Sequence, residues 1–111
     1  MQTHYNKLVR DNISEIIKEK GDTPVYRVLT DSEYLDALNQ KLHEEVIEYL
    51  EDNSIEELCD ILEVAYAIAV AKGYSTGELA KIRDNKNNKR GAFANKFFLE
   101  KVIGPAEEIP T

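Results

Sequence analysis

Glu45 and Glu48 stand three residues apart, and so do Glu57 and Asp60. They belong to a run in which Glu44, Glu45, Glu48, Glu51, Asp52, Glu56, Glu57, Asp60 and Glu63 follow one another with no Lys or Arg between them. On a helix, positions three apart lie on successive turns of one face, so each pair aims two carboxylates at one point. Like charges at that spacing repel by roughly 0.2–0.5 kcal/mol per pair, and a plain surface helix interleaves lysine. Oxygen donors without histidine or cysteine suit Mg²⁺ or Mn²⁺. Buried with no cation, such carboxylates are costly or take up protons. The spacing therefore predicts a metal site on Glu45, Glu48, Glu57 and Asp60, with a solvated acidic face as the alternative. Local roles compete with it. Glu57 has the spacing of a capping partner for Ser54, Glu56 has it for Asn53, and acids in a first turn favour the helix dipole. Those roles do not account for Asp60 in an apolar helix or for Glu45 in a leucine stripe.

The elements that must position these acids read as helices. Asp11 is the expected cap of a first short helix, NISEIIKEK, with Gly21 as its left-handed stop. TPVYRVL follows as an extended link or short strand. Thr30 and Glu33 have capping-box spacing and open a second helix, which runs to about Asp52. Its stripe of Leu35, Leu38, Leu42, Glu45 and Tyr49 follows heptad spacing, with a carboxylate where leucine is expected. After the break at Asn53 and Ser54, a third helix runs to about Lys72 and stops at Gly73. So short a connection makes the two helices antiparallel neighbours and lets both acidic pairs face each other near the joined end.

The third helix, LCDILEVAYAIAVA from Leu58, is apolar nearly all round, and a second subunit is its simplest cover. Ser75 and Glu78 open a fourth helix that breaks at Gly91. NKFFLEKV is expected to form a short fifth, before an irregular tail over about 104–111. The fold class is thus all-α, a helical bundle of four to five helices in one domain over 1–111, assembling as a dimer or higher oligomer.

The composition narrows the function classes. Nine of the 21 acids fall in the stretch above, so the net charge of -7 is local, and the remaining acids are slightly outnumbered by the 14 bases. That balance disfavours duplex nucleic acid, which calls for a broad basic face. Cys59 is the single cysteine, which rules out an internal disulfide and argues against a zinc cluster. It is expected as a small core residue, and His4 and His43 as surface residues. No apolar run approaches the ~20 residues needed to span a bilayer, and the expected location is the cytoplasm with no membrane contact. The aromatics, among them Tyr26, Tyr49, Tyr66, Phe93, Phe97 and Phe98, are expected mostly in core or interface.

The acids Glu44-Glu45-Val46-Ile47-Glu48 and Glu56-Glu57-Leu58-Cys59-Asp60, in the pattern EExxE then EExxD, resemble those of the all-α nucleotide pyrophosphohydrolases. That superfamily includes the MazG-like and phosphoribosyl-ATP pyrophosphohydrolase-like proteins. The opening YNKLVRDNISEII and the basic segment KNNKRGAF are similar to segments of one phosphoribosyl-ATP pyrophosphohydrolase-like branch, so the likeness extends to about Phe93. Three positions depart from it. Ser14 stands where proline is usual, Cys59 where a small apolar residue is usual, and Ala92 where a second glycine is usual.

The resemblance implies Mg²⁺-dependent cleavage of a nucleoside triphosphate between its α and β phosphates, giving a monophosphate and pyrophosphate. It implies a helical homodimer or homotetramer, with Glu45, Glu48, Glu57 and Asp60 as the metal-binding acids. Glu48 and Glu44 are the two candidates for a general base. Lys7, Arg10, Lys86, Lys89 and Arg90 fall in the matching basic segments and are the candidate phosphate contacts. Lys86 and Arg90, four apart, share a face, and Lys89 lies off it by one residue. The same chemistry on another nucleotide, phosphoribosyl-ATP in histidine biosynthesis, is the alternative substrate. From a different class, a catalytically silent helical dimer serving as an interaction module is the alternative function.

Overall fold

The computed structural model describes residues 1–105, 108, 109 and 111. It contains four α-helices and, among the described residues, no strand: α1 (Ile13–Glu19), α2 (Asp31–Asp52), α3 (Ile55–Ala71) and α4 (Thr76–Arg90). The chain divides into two compact units, Met1–Thr76 and Gly77–Thr111.

In the first unit α2 packs on α3. Thr30 opens α2 with a complete capping box: its hydroxyl accepts from the Glu33 backbone N–H, and the Glu33 carboxylate accepts from the Thr30 N–H. Arg27 adds a two-pronged ion pair to the same carboxylate, at 3.3 and 3.0 Å. The helix ends on Asn53, whose φ of 54° is left-handed, a conformation asparagine tolerates better than most residues. Ser54 then caps α3 by accepting from the Glu57 N–H. Asn53 and Ser54 are the whole connection, and so tight a turn lays α3 back along α2. Leu38, 2% exposed, Val64 and Ala69 form the buried apolar core. Glu45 joins them at 5% exposure.

Two local expectations need correction here, and one alternative is decided. The N-cap position of α1 is Asn12 rather than Asp11, and no side chain caps it. The Ile13 N–H instead donates to the Arg10 carbonyl, so the backbone turn does the work assigned to Asp11. TPVYRVL takes the extended-link alternative; Val25, Tyr26 and Val28 face solvent, and the described residues include no strand to form a ladder. Cys59 is exposed rather than in the core, since it lies on a side of α3 that α2 leaves open. His4 and His43 are exposed, as the sequence suggests.

The second unit carries α4 from Gly77 onward, up to the left-handed Gly91. NKFFLEKV forms no fifth helix. Lys96 within it has a φ of 61°, which breaks a right-handed helix, and Phe97 and Phe98 are exposed instead of packed. A segment this short gains too little from its own hydrogen bonds to form a helix without a surface to bury against. The described part of the expected tail, 104, 105, 108, 109 and 111, has no helix or strand; positions 106, 107 and 110 lie outside the described residues. No helix among the described residues is long and apolar enough to cross a membrane.

Candidate metal centre

Heptad spacing puts Glu45 on the face of α2 that meets α3, and the tight turn brings the first turns of α3 alongside it. One carboxylate oxygen each from Glu45, Glu57 and Asp60 lies within 4.8 Å of the other two. Three of the four acids read from the spacing therefore converge. Glu48 is exposed and lies close enough to Glu57 for its negative charge to raise that carboxyl. The capping reading of Glu57 holds by half. Its backbone N–H serves Ser54, but the return bond that Glu33 makes to Thr30 has no counterpart here, which frees the Glu57 carboxyl to turn into the cluster.

The electrostatics of the cluster are unbalanced. Desolvation, then the negative charges of Glu48, Asp60 and Glu45, push the Glu57 carboxyl up to about 7. The Oε2 atoms of Glu45 and Glu57 are both buried with no hydrogen-bond partner. A buried carboxylate oxygen without a donor is costly, and a hard cation is the partner its chemistry suits best. The donor set, all oxygen and from three side chains at least, fits Mg²⁺ or Mn²⁺.

Two cations already sit at the rim. Arg10 Nη2 donates to Asp60 Oδ1 at 2.7 Å, and Lys41 Nζ lies 3.2 Å from Glu45 Oε1 and 3.8 Å from Glu44 Oε2. Arg10, expected as a phosphate contact, is therefore an internal counter-ion in this structure. Lys41 escaped the sequence reading because it precedes the acidic run. The spacing rule that found the acids would have found it, since it stands four residues before Glu45 and three before Glu44. Nothing local marks Arg10, whose partner is fifty residues away.

Among the other expected contacts, the Lys7 ammonium lies 5.8 Å from the centre of the Tyr5 ring. Lys86, Lys89 and Arg90 belong to the second unit, where with Ile82 and Asn85 they line an open hollow of about 380 Å³. Lys89 thus shares the face of Lys86 and Arg90 and is not off it. Arg90 also donates to the backbone oxygen of Thr111 at 2.7 Å.

No protein-family model matches the chain, and no solved structure matches it. A stretch of 42 residues, 38% of this chain, is 57% identical to an uncharacterized protein of Mycolicibacterium smegmatis. The match spans 43% of that relative's length.

Proposed function

We propose that the chain is a divalent-cation-dependent nucleoside triphosphate pyrophosphohydrolase, cleaving between the α and β phosphates. The observation that carries this reading is Glu45: a carboxylate 5% exposed in a leucine stripe, with one oxygen unpartnered, converging with Glu57 and Asp60. A helix pair built only for stability would place leucine there, because removing a carboxylate from water is expensive. Glu45, Glu57 and Asp60 would hold the ion, with Glu48 beside them. When bound, Mg²⁺ or Mn²⁺ supplies charge neutralisation that lets a polyphosphate approach an acidic surface. Glu48 is exposed and close to the cluster, so it is better placed than Glu44, which leans toward Lys41, to take a proton from an attacking water. Lys7, Lys86, Lys89 and Arg90 remain the phosphate contacts of this proposal, in a homodimer or homotetramer.

The test is a nucleotide panel with Mg²⁺, scored for both monophosphate and pyrophosphate. Pyrophosphate release that Glu45→Gln or Asp60→Asn abolishes, with helical circular dichroism retained, supports the proposal. Release of single phosphates contradicts α–β cleavage. A second reading, a catalytically silent helical module, is favoured by Arg10 and Lys41, which already neutralise part of the cluster. Absence of turnover with every nucleotide and metal would favour it.

A further inference from the structure

The positive group on Asp60 comes from a segment with no helix or strand, residues 1–10, and that segment is joined to the cluster through the Arg10 ion pair. Arg10 also lies in the field of Glu63 and Glu45, so its charge is felt beyond Asp60. Its pair with Asp60 is short but open to water, the two side chains being 57% and 36% exposed. Such pairs are individually weak, because solvent screens them and holding a long side chain in place costs entropy. Meanwhile Glu45, in the same cluster, is more than nine-tenths buried with its Oε2 unpartnered. The arrangement thus combines a replaceable cation on one acid with an unmet demand for a cation on another.

We propose that Arg10 is a place-holder for the divalent ion: an ion entering between Glu45, Glu57 and Asp60 takes the Asp60 oxygen from the guanidinium and releases the segment that carries it. This rests on reading the cluster as a cation site. A divalent ion binds a carboxylate oxygen at about 2.0–2.6 Å. A guanidinium nitrogen already 2.7 Å from that oxygen would then face a double positive charge at close range. The two cations exclude each other, and by linkage each weakens the other's hold on Asp60.

The experiment compares Mn²⁺ binding by isothermal titration calorimetry in the wild-type chain, Arg10→Gln and Lys7→Gln. Arg10→Gln is expected to tighten Mn²⁺ roughly two- to tenfold, the range set by losing one exposed pair and one nearby positive charge. Lys7→Gln removes the same charge from the same segment and is expected to leave the affinity nearly unchanged. In the wild-type chain, saturating Mg²⁺ is expected to speed trypsin cleavage after Arg10 as its side chain is freed. Equal or weaker Mn²⁺ binding in Arg10→Gln, equal tightening in Lys7→Gln, or cleavage that Mg²⁺ leaves unchanged overturns the place-holder role. If the wild-type chain binds Mn²⁺ while any of these holds, only this inference falls. If it binds none, the cation site falls with it.

Discussion

Glu57 shows how one side chain divides its two polar ends between structure and chemistry. Its N–H belongs to the Ser54 cap, while its carboxyl sits among Glu48, Asp60 and Glu45 and is pushed, first by loss of hydration, to about 7. Below the ordinary value of 4.5 the group is protonated in folded and unfolded chains alike. Between 4.5 and about 7 the folded chain holds a proton that the unfolded chain has lost, so folding stability must fall as pH rises through that window. Urea denaturation in EDTA is expected to show this decline, and Glu57→Gln is expected to flatten it. Equal slopes in the two proteins would return Glu57 to an ordinary carboxylate. Glu45 was legible at this scale from its place in the heptad. Lys41 became visible only when the spacing was carried back past the start of the acidic run, and Arg10 depends on a contact that no local pattern encodes.

Among the elements, α2 and α3 carry the site, and a side-chain cap fixes the start of each. Thr30 and Glu33 close α2 reciprocally, with the Arg27 fork holding the Glu33 carboxyl down to about 2. Thr30→Ala removes the hydroxyl that accepts the Glu33 N–H and is expected to lower stability by about 1 kcal/mol, read from thermal or urea unfolding. A loss near zero would mean that the Arg27 pair alone holds this end. These helices were readable because caps, breaks and periodicity are local signals that agree with one another. NKFFLEKV misled for the same reason. Its composition suits a helix, but helix formation in so short a segment depends on a surface to pack against.

For the molecule as a whole, the uncovered apolar side chains are the outstanding feature. Leu50 on α2 and Leu62 and Val70 on α3 are exposed, and the buried apolar core within the chain comprises few residues among those described. A chain of 111 residues with so small a core has little stability in reserve. Self-association through these faces is the expected remedy. Sedimentation equilibrium should give a mass that is a multiple of 12.7 kDa, and Leu62→Glu should shift it toward one copy. A wild-type chain sedimenting as a monomer at micromolar concentration would leave these faces without a self-partner.

By itself, the sequence determined that the chain is helical, where α2 and α3 begin and end, and that carboxylates recur on one face of each. All three follow from hydrogen bonds and periodicities that span a few residues. Only the tertiary structure decided that Glu45, Glu57 and Asp60 converge while Glu48 stands at their edge, and that Arg10 closes on Asp60. Those outcomes depend on how two helices meet and where an irregular segment comes to rest. Solvation and charge across the assembled surface set both, and no stretch of chain shorter than the unit contains that information.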